Sequence, residues 1–214
     1  MISFAFVLIL SYLAGAFPTA ILAGRIILKD DIRNHGSGNA GATNVFRVMG
    51  WKAALIVVLI DVGKGMLAAL LISRIAVDAP LISAPLMRMC AGFAAIIGHI
   101  WTVFAGFRGG KGVGTAFGVL LSLSPVPSLI ALAVWLIVVF STRIVSVGSI
   151  CAGIVYPTAL ILQRIWFKPD IHIGMVILGL VLGALIVVTH RANIRRLLNG
   201  EENRFGSSGK RVSR

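Results

Sequence analysis

Six stretches of this chain, 2–24, 53–73, 89–107, 112–142, 144–163 and 171–189, are apolar and carry no Asp, Glu, Lys or Arg except Asp61 and Lys64. A helix needs about 20 residues to cross roughly 30 Å of hydrocarbon, and most of these stretches are of that length. The bilayer is therefore the solvent, and the expected fold is an all-α polytopic membrane protein. Composition agrees: over 214 residues, 58% are hydrophobic and 13% charged, with a mean hydropathy of +0.98, values outside the range of soluble domains. Segment 2–24 is too long for a signal-peptide core and its basic cluster follows it, so it reads as a mature span. Cys90 and Cys151 lie in apolar surroundings with no metal or redox spacing.

Segment 112–142 is too long for one span, and Ser124-Pro125-Val126-Pro127 stands near its middle. Proline disfavours helix in the residue before it, so the reading is two short helices, about 112–124 and 127–142. The net charge of +13 decides the count through its placement. With the break, Arg25, Lys29, Arg33, Arg47, Lys52, Arg108, Lys111, Arg143 and the seven basic residues of the tail share one face, and only Arg74, Arg88, Arg164 and Lys168 face the other. Without it the two sides carry nearly equal charge. Because cytoplasmic loops are enriched in Lys and Arg, the expectation is seven transmembrane helices, N-terminus outside and C-terminus cytoplasmic. Charge placed at membrane flanks implies no nucleic-acid partner. Residues 1–200 are expected to form a single transmembrane domain, and 201–214 a polar, disordered tail.

That topology brings several polar elements to the cytoplasmic face. "HGSGNAGATN" at 35–44 fits G-x-G-x-x-G and is followed by Asp61 at the spacing of a dinucleotide fingerprint. No buried strand precedes it and no βαβ repeat exists, so the match is accidental. What remains is a phosphate cradle by composition: Gly36, Gly38 and Gly41 for backbone approach, Ser37 and Thr43 hydroxyls, Asn39 and Asn44 amides, and Arg47 beyond. An ordinary solvated loop is the competing reading. In "GHIWTVFAGFRGGKGVGT", Gly109, Gly110 and Gly112 surround Lys111 at the start of an apolar helix, which would aim free N–H groups and an ammonium at one point. This is not a Walker A loop, and a glycine-eased helix junction is the alternative. His99 falls about two turns inside the third span, as a packed residue or a ligand. Asp61 and Lys64 are spaced for an i,i+3 pair, with direct substrate contact by Lys64 as the other possibility. In the tail, His190 and Asn193 stand on one helix turn among Arg191, Arg195 and Arg196, which suit acidic lipid headgroups.

Taken in order, "GSGNAGATNVFR", "GH" through "FRGGKGVGT", and "HRANIRR" with "NGEENRF" resemble the acyl-phosphate:glycerol-3-phosphate acyltransferase family of bacterial inner membranes, with "DVGKG" at 61–65 and "RIVSVGS" at 143–149 fitting between. The resemblance covers nearly the whole chain. It implies a seven-span enzyme that transfers a fatty acyl group from acyl phosphate to the sn-1 hydroxyl of glycerol 3-phosphate, giving lysophosphatidate and phosphate, the first acylation of phospholipid biosynthesis. It also adds Ser146 and Ser149 to the substrate-binding candidates.

Both implied substrates carry phosphate, which suits convergent basic, glycine-rich loops. The H-x-x-x-x-D dyad of unrelated glycerolipid acyltransferases is absent, since Ala40, Phe104, Ile177 and Arg195 stand five residues after the four histidines. An acyl phosphate is already activated, so positioning and charge stabilisation suffice. Ser37, Lys111 and His190 are the catalytic candidates: Lys111 for a phosphate, Ser37 and His190 for the attacking hydroxyl, with Arg47 and Asn193 holding glycerol 3-phosphate. The proton goes to a donor phosphate oxygen or to His190. No cofactor and no metal are expected. A transporter of organic phosphates is the rival reading, although no internal repeat is seen, and a purely structural lipid-binding protein leaves the polar loop residues unexplained.

Overall fold

The computed structural model describes residues 1–204, so most of the 201–214 tail, from 205 on, lies outside the described residues. The chain is helical throughout with no strand among those residues: α1 Ile2–Ala16, α2 Thr19–Ile27, α3 Ala42–Met49, α4 Trp51–Leu70, α5 Ala84–Ile100, α6 Val113–Leu123, α7 Pro125–Thr142, α8 Val145–Trp166, α9 Ile173–Thr189 and α10 Arg191–Leu198. Five segments are long and apolar enough to cross a membrane, Ile2–Ile27, Trp51–Arg74, Ala84–Ala105, Pro125–Thr142 and Val145–Trp166, and a sixth if α9 and α10, bent by 57°, count as one. The multi-pass helical expectation therefore stands.

Two boundaries differ from expectation. α6 spans Val113–Leu123 and α7 begins at Pro125, not 127. Ser124 alone is extended, at φ −148° and ψ 88°. Proline is tolerated in a first turn, whose N–H groups have no intrahelical acceptor, so both prolines fit inside α7 and the break contracts to one residue. α5 ends at Ile100. His99 thus lies in the last turn of α5, and because the apolar span runs on to Ala105 it stands about two turns inside that span, as expected.

The helices divide into two compact units, Met1–Ser128 and the remainder from Leu129. In the first, α1 packs on α5 and α4 on α6. Small residues permit this approach: a Cβ on Gly98 would strike the Tyr12 carbonyl, and one on Gly118 the Val62 carbonyl. Asp78 caps α1 from a distant loop, its carboxylate accepting the N–H groups of Ile2 at 2.9 Å and Ser3 at 3.0 Å. Pro18 breaks the first span between α1 and α2, and the freed carbonyls find donors, Phe17 from Lys64 at 3.1 Å and Ala16 from the Thr102 hydroxyl. A small core of Ile21, Ile32, Ala40, Val45, Ala54 and Val57 lies beneath the 28–41 loop. In the second unit α8 packs on α9, with Gly183 against the Gly153 carbonyl.

Candidate active site

The 35–44 loop is organised by one buried amide. Asn44, 1% exposed, accepts the Ser37 N–H at 2.8 Å and donates to the carbonyls of His35 at 2.9 Å and Ile32 at 3.2 Å. The loop must double back to reach it, and Gly36 supplies φ +59° where a Cβ would collide with Asn44 Oδ1. Asn44 is therefore the brace of the loop. The bond leaves Ser37 half-exposed, and among the described residues its hydroxyl has no protein partner. Gly38 also takes positive φ, at +71°. Asn39, Gly41 and Thr43 are half-buried and Arg47 is exposed, with Gly41 the N-cap of α3 and Thr43 and Arg47 on that helix.

The second loop meets the first. Gly109 and Gly110 fold back on the end of α5, donating to Ile100 O at 3.0 Å and His99 O at 3.1 Å. Gly110 faces both His99 and the 35–44 loop: a Cβ there would strike His99 Nε2 and lie 2.9 Å from the Ala40 carbonyl oxygen. Only glycine allows the two loops to close this far. Lys111 follows, half-buried, and Gly112 caps α6 in the left-handed region, so Lys111 stands just before the positive end of an apolar helix.

Beneath this contact lies a small pocket of mixed character, lined by residues 16–21 around the α1–α2 break together with Ala40, Asp61, Lys64, His99, Thr102, Gly109 and Gly110. Asp61 and Lys64 pair at 2.9 Å, i,i+3 on α4, with side chains 6% exposed. Asp61 also accepts the Thr19 hydroxyl at 3.1 Å, and His99 Nδ1 stands 3.6 Å away, beyond hydrogen-bond length. Two buried charges inside a span thus satisfy each other, and Lys64 further supports the α1–α2 break.

In the second unit Ser146, Ser149, His190 and Asn193 are all buried. Ser149 donates to Val145 O at 3.1 Å and accepts from Trp135 Nε1 at 3.3 Å. The Glu202 carboxylate accepts from Ser146 Oγ at 2.9 Å, Asn193 Nδ2 at 2.6 Å and Arg196 Nε at 2.7 Å. Burial alone would raise the Glu202 pKa, but these donors outweigh it and hold the carboxyl below its ordinary value. His190 sits at the bend between α9 and α10, with Nδ1 2.8 Å from Ile186 O. A carbonyl only accepts, so Nδ1 carries the hydrogen of that bond.

Glu202, Arg33 and Thr19 were not candidates from sequence. Glu202 reads there as part of a solvated polar tail, although its place after "RANIRR" was a usable signal. Arg33 pairs with Asp31 at 2.7 Å; the guanidinium hydrogen bond holds the Asp31 carboxyl below the usual carboxylate range and raises the pKa of Arg33.

The model of the glycerol-3-phosphate acyltransferase family matches residues 5–200. A glycerol-3-phosphate acyltransferase of Chlorobium phaeobacteroides (strain BS1) is 44% identical, over 95% of this chain and 97% of that protein, and one of Chlorobaculum tepidum is 42% identical, over 96% and 97%. The crystal structure of PlsY, an integral membrane glycerol 3-phosphate acyltransferase, in its glycerol 3-phosphate form, superposes with a TM-score of 0.83 at 36% identity, covering 95% of this chain and 96% of that one. Its lysophosphatidic acid form gives 0.79. Sequence and helical architecture agree over almost the full length, and the chain belongs to the glycerol-3-phosphate acyltransferase family.

Proposed function

We propose that this acyltransferase takes its fatty acyl group from acyl phosphate and delivers it to the sn-1 hydroxyl of glycerol 3-phosphate, releasing lysophosphatidate and inorganic phosphate. The observation that carries the reading is the closure of two glycine-bearing loops on each other at Gly110 and Ala40, with Lys111 at the start of α6 beside them. Such an arrangement suits phosphate, and the structural relative occurs in forms with glycerol 3-phosphate and with lysophosphatidic acid. Family membership does not favour the transporter reading.

Lys111 and the first-turn N–H groups of α6 hold the donor phosphate. Gly36, Gly38, Asn39, Gly41, Thr43 and Arg47 form the cradle of the first loop, with Arg47 and Asn193 assigned to glycerol 3-phosphate. Ser37 and His190 orient its hydroxyl. Lys64, His99, Asn44, Ser146 and Ser149, given as binding residues from sequence, support the loops and helices through the bonds described above. The hydroxyl oxygen attacks the acyl carbonyl carbon, the tetrahedral intermediate collapses with cleavage of the carbonyl carbon to phosphate-oxygen bond, and phosphate leaves. The proton passes to a phosphate oxygen or to His190. Residues 1–200 are the catalytic domain, in seven spans of a bacterial inner membrane with the site toward the cytoplasm.

The test is direct. The purified protein in detergent, given acyl phosphate and glycerol 3-phosphate, forms lysophosphatidate and phosphate in equal amounts; no product sinks the reading. His190→Gln distinguishes the proton acceptors, since near-normal turnover with an unchanged pH profile excludes the histidine. Lys111→Ala raises the KM for acyl phosphate, and an unaltered value removes its donor role.

A further inference from the structure

Arg33 stands outside the binding residues assigned above, yet its guanidinium joins the two loops. Nε lies 3.0 Å from Oδ1 and 3.1 Å from Oδ2 of Asp31, and Nη2 lies 2.7 Å from Oδ2. This fork-on-fork pair fixes the plane of the group. Asp31 is itself oriented, because Oδ1 also accepts the Arg33 backbone N–H at 2.9 Å. The remaining nitrogen, Nη1, reaches the other loop and donates to the carbonyls of Ala105 at 2.9 Å and Arg108 at 3.1 Å.

Those carbonyls bracket Gly106 and Phe107, which have φ of +63° and +59°. For a bulky aromatic residue that conformation is disfavoured and persists only where the surroundings impose it. Packing does not impose it here, since Phe107 is 58% exposed. The Phe107 N–H bond to Thr102 O at 2.8 Å and the two bonds from Arg33 do. From Arg108 the chain passes through Gly109 and Gly110 directly to Lys111.

We infer that Arg33 is a positioning residue for acyl transfer: oriented by Asp31, it sets the 105–108 turn and through it the placement of Lys111 against the donor phosphate. The inference rests on the donor role proposed for Lys111. Lysine cannot substitute, because an ammonium presents no planar fork and cannot serve the carboxylate and both carbonyls in one fixed geometry.

The experiment uses the full-length enzyme in detergent and compares Arg33→Lys, Arg33→Gln and Asp31→Asn with the parent. Hydrogen exchange is followed at the amides of Phe107, Gly109 and Gly110, which donate to the carbonyls of Thr102, Ile100 and His99, and KM is measured separately for acyl phosphate and glycerol 3-phosphate. Both Arg33 variants should speed exchange at those amides by about tenfold or more while leaving α4 unchanged. They should raise the KM for acyl phosphate by about tenfold and that for glycerol 3-phosphate by less than about twofold. Asp31→Asn, which keeps Arg33 but frees its plane, moves both readouts in the same direction by less. Unchanged exchange overturns the clamp. A loss of active enzyme with both KM values unchanged overturns the positioning role and leaves a structural one. Faster exchange with normal KM values likewise overturns the positioning role, whereas an unaltered KM for acyl phosphate in Lys111→Ala, measured alongside, removes the donor role of Lys111, so the failure of that assignment is told apart from the failure of the clamp.

Discussion

The side-chain amide of Asn44 has three polar partners and almost no contact with solvent, and that determines what replacing it does. In Asn44→Ala the Ser37 N–H and two loop carbonyls lose their partner in a buried place, where each unsatisfied group costs about 1–3 kcal/mol. Asn44→Ala should therefore lower the thermal midpoint by several degrees, about 2–4 °C for each kcal/mol lost in a chain of this size. It should also weaken turnover, since Ser37 is no longer held; a midpoint and a kcat equal to the parent's would remove the bracing role. Ser37→Ala makes the contrast, because its backbone bond survives and only activity should fall. Acid acts at the same scale on Asp31. Its folded pKa is depressed by Arg33, so the pair stabilises the fold fully above the ordinary carboxylate value of 3.8 and is lost as pH falls through the lower folded value.

At the scale of elements, α4 carries two charges into the membrane and depends on keeping both. Removing one member of a buried ion pair typically costs about 3–5 kcal/mol, because the other is left uncompensated, whereas removing both together costs much less. Asp61→Leu and Lys64→Met should each destabilise strongly, and the double variant less than either, read from thermal midpoints in detergent. Additive losses would show that the two side chains do not act as a pair. α10 depends similarly on Glu202, which ties it through Asn193 and Arg196 to Ser146 on α8. Because the Glu202 carboxyl is held below 4.5, its stabilisation persists above that pH and is lost as pH falls through the depressed value. Glu202→Ala removes the acid-sensitive step and leaves three donors without their acceptor; activity equal to the parent's across the pH range would deny Glu202 this function. The spans were legible because apolar runs and proline report on lipid and on helix ends directly. The glycine loops were legible because few other residues tolerate close backbone contact. Arg33 and Glu202 were not, since each acts on partners far along the chain, Ala105 and Ser146, and a charged residue in a loop looks solvated until its neighbours are known. The end of α5 is hidden for a related reason: Trp101–Phe107 is as apolar as a helix, but the backbone already leaves the helix at Trp101, with φ −116° and ψ 67°.

For the whole molecule, α6 poses the open question of topology. Its 11 residues reach only about 16 Å at 1.5 Å per residue, roughly half the hydrocarbon thickness. If α6 crosses, its Gly112 end must be recessed below the surface, which would place Lys111 and the glycine turn near the acyl chains of the bilayer. If it does not cross, every later segment is inverted. Charge favours crossing, because only then do Lys29, Lys111 and Arg143 share a side opposite Lys168. The two cases separate at a pair of residues. In a background with Cys90 and Cys151 replaced by alanine, single cysteines at Lys29 and Lys168 are treated in spheroplasts with a membrane-impermeant maleimide. Seven spans with the N-terminus outside predict labelling at 168 in intact spheroplasts and at 29 only after permeabilisation. Six spans put both positions on one side, so identical behaviour at the two would overturn the seven-span arrangement.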